Sequence, residues 1–184
     1  MTLLLSSQYA DPTALAVGES SLPRLLAANG GSNTGSGTLR FTHFTATKSE
    51  TITQLRLLTG NTAAAATPTL VRAGVYSEAA NGDLTLVGAI PSDTSLFASG
   101  AAVYTRTLSA SFQKVAGQRY AVGVLVVTGA APPTLMGSVL PNSPEGGMSP
   151  RVGTLLNSQT DLPASVPNAS LVGAASMHYV VLLP

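Results

Sequence analysis

Cysteine and tryptophan are both absent from this 184-residue chain. Without cysteine there are no disulfides and no thiolate metal sites, and nothing marks the redox compartment. Without tryptophan, and with only five Tyr and four Phe, the chain is short of the flat aromatic surface on which sugar rings stack. Charge is scarce as well: nine Lys plus Arg against eight Asp plus Glu leave a formal net charge of +1. Nucleic acid is thereby excluded as the main partner, because phosphate binding needs a basic excess. So sparse a charge also does little to keep copies apart, which points to a homo-oligomer whose surface is largely covered by neighbours. No apolar run approaches the roughly 20 residues that cross a bilayer as a helix, so no membrane span is expected. Met1–Leu5 is too short, and lacks the basic flank, for a signal peptide; the expectation is a chain made in the cytoplasm.

What is present is mostly Ala, Thr, Ser, Gly and Leu. Small β-compatible residues, 18 Gly and 12 Pro suit many short strands joined by turns. The hydrophobic content of 45%, arranged in alternation, decides against the disorder that Ser/Thr/Gly/Pro richness would otherwise suggest. The length suits one domain with a sizeable core. The stretch Arg119–Val127, RYAVGVLVV, organises the rest. It follows a turn at Ala116-Gly117-Gln118, carries no charge after Arg119 and precedes Thr128-Gly129. It reads as a strand buried on most of both faces.

Residues 1–37 differ from the remainder. Apolar anchors at Leu3, Leu4, Leu5, Tyr9, Leu22, Leu25 and Leu26, with Arg24 among them, precede a Gly/Ser stretch at Asn29–Gly37 that is flexible by composition. The pattern predicts an extended N-terminal arm and hinge, with a short helical turn fitting Leu22–Ala28. The arm either docks on a neighbouring subunit or covers an edge of its own sandwich. Residues 38–184 form the sandwich. Alternation predicts strands at Leu39–Thr45, Thr51–Thr59, Leu70–Ser77, Leu84–Ile90, Ala102–Leu108, Arg119–Val127, Thr134–Val139 and Ser176–Leu183. Ser111–Val115 leads into the central stretch, and Asn81-Gly82 marks a hairpin. Gly60–Pro68 reads as loop despite its four alanines, Pro141–Pro150 as an exposed loop, and Arg151–Asn157 and Ala164–Leu171 as loop with strand fragments. About eight strands at this spacing give an all-β, antiparallel sandwich, with a jelly roll as the expected form.

No catalytic constellation emerges. His43 and His178 are the two histidines, both inside predicted strands, and no G-x-S-x-G elbow accompanies them. A Ser/His/Asp hydrolase would need one of them beside a nucleophile and an acid; a half-buried or interface histidine is the simpler reading. No two acids are spaced to fix a carboxylate pair. Asp83 and Asp93 lie in turns, where a carboxylate can either hold Ca²⁺ or shape the turn; the latter is favoured because each loop has one. No metal or cofactor is therefore assigned. Arg40, Arg72 and Arg106 lie on strands, where a guanidinium binds sugar hydroxyls, reaches an acid across a subunit interface or pairs within its own sheet. They are the candidate interface or glycan contacts.

Three stretches carry a family likeness. Phe44-Thr-Ala-Thr-Lys48-Ser-Glu-Thr51, then Gly74-Val-Tyr-Ser77 with Asn81-Gly-Asp-Leu-Thr-Leu86, then Ala116-Gly-Gln-Arg-Tyr-Ala-Val-Gly-Val124 resemble small virion proteins of tailed bacteriophages infecting actinobacteria, usually labelled minor tail proteins. The similar stretch covers Leu39–Val127, and the closing Tyr179–Pro184 fits it. The resemblance implies a non-enzymatic β-sandwich present in many copies on a virion, as a homo-oligomer such as a trimer, in contact with other virion proteins. It leaves three placements open: a minor tail or adhesion protein for host attachment, a capsid decoration protein or head fibre held to the shell by its arm, and a module binding host cell-wall glycans.

Overall fold

The structure is a computed structural model, and it describes residues 18–139 and 150–184. Fourteen strands are formed among these residues: β1 (Glu19–Ser20), β2 (Ala28–Asn33), β3 (Leu39–Thr45), β4 (Glu50–Leu58), β5 (Leu70–Glu78), β6 (Leu84–Ala89), β7 (Val103–Lys114), β8 (Arg119–Val127), β9 (Thr134–Val139), β10 (Gly153–Leu156), β11 (Ser165–Val166), β12 (Val172–Gly173), β13 (Ser176–His178) and β14 (Val180–Leu183). They make a four-stranded sheet, β1-β14-β4-β7, and a seven-stranded sheet, β11-β6-β5-β8-β3-β10-β12. A small sheet, β13-β9-β2, adjoins them. Every ladder between named strands is antiparallel. The all-β antiparallel sandwich expected from the sequence is the fold.

β8 is the middle strand of the larger sheet, between β5 and β3. Alternate side chains of a strand point to opposite faces, and β8 meets protein on both. Tyr120, Val122, Val124 and Val126 enter the core between the sheets, against Val71, Ala73 and Val75 of β5, Ile52, Leu55 and Leu57 of β4, and Val180 and Leu182 of β14. Ala121 and Leu125 face the other way, into a second core with Leu39, Phe41, Tyr76 and Leu84. That outer core is closed by Leu162, by Val166 of β11 and by Leu171 just before β12. Fully burying one such aliphatic side chain stabilises a fold by about 1.5–3 kcal/mol, so a strand flanked by two cores contributes more than any strand with one wet face.

A third apolar cluster covers the outside of the four-stranded sheet. Leu22 and Ala27 pack on Tyr179, Val181 and Leu183, and β1 pairs with β14. The described part of the arm thus lies over its own sandwich, with a 3-10 turn at Arg24–Leu26, the second of the two placements the sequence leaves open. Leu3, Leu4, Leu5 and Tyr9, and most of the loop expected at Pro141–Pro150, lie outside the described residues.

Three local expectations are corrected. Within the expected hinge, Ala28–Asn33 forms β2 against β9; a ladder made by backbone groups needs no hydrophobic pattern, so two glycines hid it. The strand expected to end at Leu108 continues to Lys114, because the β4–β7 register shifts between Ile52 and Gln54 and the ladder then resumes. That irregularity also places Ile52 in the same core as Leu55 and Leu57, where simple alternation opposed them.

Candidate functional site

The strap formed by residues 18–27 divides its side chains between anchoring and display. Pro23 starts the 3-10 turn with φ −58°, near the angle its ring imposes. Arg24 folds back, its guanidinium carbon 5.8 Å from the Tyr179 ring centroid and its Nη1 donating to the Ala27 carbonyl at 3.1 Å. With Leu22 and Ala27 inside, Leu25 and Leu26 are turned outward, 69% and 52% exposed. Val139, 62% exposed, ends β9. Leu26 and Val139 each lie two residues beyond the Ala28–Gly137 pair, on the β2 and β9 sides respectively.

The three arginines are not brought together. Arg40 donates through Nε to the Thr34 carbonyl at 3.0 Å and reaches Ser176 Oγ at 3.5 Å. Arg72 holds Asp161 at 2.6 Å and the Ile90 carbonyl at 3.4 Å. Arg106 holds Asp93 at 2.6 Å and lies over the Tyr104 ring at 5.7 Å. Phe97 meets the same Tyr104 ring edge-on, with centroids 5.8 Å apart. Each guanidinium therefore ties a loop to a strand within the chain. Asp93 also accepts from Ser95 N and Oγ, and Asp83 accepts from the Asn168 amide and from Asn81 Nδ2. Both carboxylates are shaping turns. Among the described residues no three His, Asp or Glu converge in a way that would hold a metal ion.

Two buried polar nodes were not foreseen from the sequence. In the first, His43 Nδ1 meets Glu78 Oε2 at 2.9 Å and His43 Nε2 meets Thr154 Oγ1 at 2.8 Å. Glu78 Oε1 is 3.1 Å from Arg119 Nε. Burial pushes the Glu78 carboxyl up, but the hydrogen bonds and positive charges of His43 and Arg119 outweigh it and hold its pKa below the usual carboxylate value. Hydroxyl, imidazole and carboxylate are connected in the order of a nucleophilic triad. Thr154, however, is 0% exposed and sits on β10 paired to Phe41, so no substrate carbonyl reaches its oxygen. What the node does is fasten β10 and β5 to β3.

In the second node, Lys114 at the end of β7 contacts Glu19 of the strap and lies 2.8 Å from Glu50 Oε1. Glu19 Oε1 accepts from both the Thr47 amide and the Thr47 hydroxyl, each at 2.7 Å. Glu50 Oε2 also faces Lys48 at 3.3 Å. Both nodes join residues far apart in sequence, and no short motif signals either. No protein-family model matches this chain, and no curated protein matches it in sequence.

Proposed function

We propose that this chain is a non-enzymatic structural protein of a bacteriophage virion, made in the host cytoplasm and assembled as a homo-oligomer among other virion proteins. The observation that carries the reading is the pair of exposed leucines, Leu25 and Leu26, on a strap otherwise anchored by Leu22, Arg24 and Ala27. Water-facing leucines held rigidly on a turn are an apolar contact in waiting. They lie on a chain whose surface carries little charge to oppose association. The likeness of Leu39–Val127 to small actinobacteriophage virion proteins supplies the setting. Within the virion, the minor tail or adhesion position is the first reading and the capsid surface the second.

A cryo-EM map of particles from a phage encoding this chain tests the proposal. The expected result is sandwich-shaped density in several symmetry-related copies, with the Arg24–Leu26 turn against a neighbour. Tail or tail-tip density makes the chain a tail or adhesion protein and brings glycan binding forward. Shell density makes it a decoration protein or head fibre. Purified particles lacking both the density and the polypeptide overturn the proposal.

A further inference from the structure

The Lys114 node has the parts of a reaction centre. Lys114 is 0% exposed, and its Nζ is held between two carboxylates, Glu19 Oε2 and Glu50 Oε1. The far oxygen of Glu19 receives two donors from one residue, the amide and the hydroxyl of Thr47. An amine in contact with one oxygen of a carboxyl, two hydrogen-bond donors on the carboxyl's other oxygen and a second carboxylate within reach of the amine are the groups that amide formation uses. The geometry points to an intramolecular isopeptide bond between Lys114 Nζ and Glu19 Cδ, with Glu50 as the proton carrier.

The step balances without any oxidant or co-reactant. The reactive pair is the neutral amine and the carboxylic acid, reached when one proton passes along the Lys114–Glu19 contact from the ammonium to Glu19 Oε2. The Nζ lone pair attacks Cδ, and the carbonyl electron pair moves onto Oε1, where the two Thr47 donors receive the developing charge as an oxyanion hole does. Glu50 Oε1 takes a second proton from Nζ and delivers it to the Oε2 hydroxyl. The Cδ–Oε2 bond breaks, Oε2 leaves as water, and the carbonyl reforms. The ammonium and carboxylate have become one amide and one water. Folding supplies the driving geometry by holding the two groups in contact, and burial keeps bulk water from reversing the step.

The product would join residues 95 apart in sequence and link β1 to β7, the two edge strands of the four-stranded sheet. It would lock the strap onto the sandwich in a chain that has no cysteine with which to do so.

Intact-mass measurement of the full, denatured chain is the direct test. The expected mass is lower than the sequence mass by one water, and proteolysis yields a branched peptide containing Glu19 and Lys114. The full sequence mass, which a simple ion pair leaves, overturns the proposal. Lys114→Met is expected to restore the full mass; a water still missing in that variant places the loss elsewhere and equally overturns it. Glu19→Gln is expected to lose one ammonia instead of one water, because the leaving group is now the side-chain amide nitrogen. Glu50→Gln, checked as folded by circular dichroism, is expected to keep the full mass; cross-linking at the wild-type rate in this variant overturns the role given to Glu50.

Discussion

The two histidines occupy adjoining sides of β3 and live under opposite electrostatics. His43 is buried between a carboxylate and a hydroxyl, with Glu78 on one ring nitrogen and Thr154 on the other. His178, on β13, is buried beside the positive charge of Arg40, and its backbone amide donates to Thr42 Oγ1 at 2.7 Å. Burial first, and Arg40 second, push its imidazole down to about 3. The same side chain at similar burial is thus a hydrogen-bonded link between a carboxylate and a hydroxyl in one place and an enforced neutral group in the other. Burial alone does not say what a histidine does; the sign of its nearest charge does.

Acid should show the His178 side of this comparison most strongly. His178 has a folded pKa of about 3 against an ordinary value of 6.5. Its folded pKa is depressed, so the unfolded chain takes up the proton first. Stability is complete above 6.5 and falls as the pH drops towards 3. At about 1.4 kcal/mol per pH unit, the loss over that window is about 4–5 kcal/mol. Urea titrations at a series of pH values should show it, and His178→Gln should flatten the slope. In an NMR titration the His178 ring should stay neutral down to its folded pKa. A His178 imidazole that protonates near 6.5 in the folded protein would refute its enforced neutrality.

Glu78→Gln attacks the other node. It removes the carboxylate that faces both His43 and Arg119. The Arg119 side chain is 25% exposed and keeps the Arg151 carbonyl, so the loss is that of a charge-assisted hydrogen bond, about 1.5–3 kcal/mol. The urea midpoint should move to lower denaturant with its slope unchanged and the fold retained. Because Glu78 has its pKa depressed in the folded state, its contribution is present at neutral pH and lost as the pH falls through that lowered value. The His178 and Glu78 contributions both fade in acid, the former from near neutrality and the latter only in the carboxylate range.

Gly123→Ala probes the outer core that His43 adjoins. A Cβ there would stand 2.9 Å from Phe41 Cε1 and 3.0 Å from Leu39 Cδ1. Phe41 is also fixed edge-on to Tyr76 at 5.2 Å, so neither ring has room to yield. Overpacking of this kind costs about 1–3 kcal/mol, which a thermal melt resolves. The same substitution at Gly129, where nothing lies within 4 Å, should be close to silent.

Legibility followed periodicity. β8 could be read because an uncharged run that is apolar on both parities has one explanation, a strand with protein on both sides. The alternation at β5 and β14 assigned faces correctly, since Val71, Ala73, Val75, Val180 and Leu182 all enter the inner core. The nodes could not be read. Glu78 is 35 residues from His43 and Thr154 is 111 away, and only the registers of β5 with β8, β8 with β3 and β3 with β10 bring them together. Nothing in the sequence around Lys114 marks it as buried, and it is the register opposite Glu50 that carries it inward. β2 was hidden because hydrogen bonds between backbones leave no mark in composition.

The smallest effect on stability is expected where the proposed effect on assembly is largest. Leu25 and Leu26 touch water, so replacing both with serine removes little buried surface, and surface changes of this kind stay within about 0.5 kcal/mol. The same pair is the contact on which the virion role rests. The double variant Leu25→Ser/Leu26→Ser should melt with the wild type yet be depleted from purified particles, while Leu22→Ala, which cuts into the strap's own anchor beside Tyr179 and Val181, should lower the melting temperature. Depletion that tracks melting temperature across both variants would make the strap a purely internal brace. Depletion confined to the exposed pair would make one short turn both a fastening, through Leu22 and Arg24, and an offered surface, through the two leucines between Arg24 and Ala27.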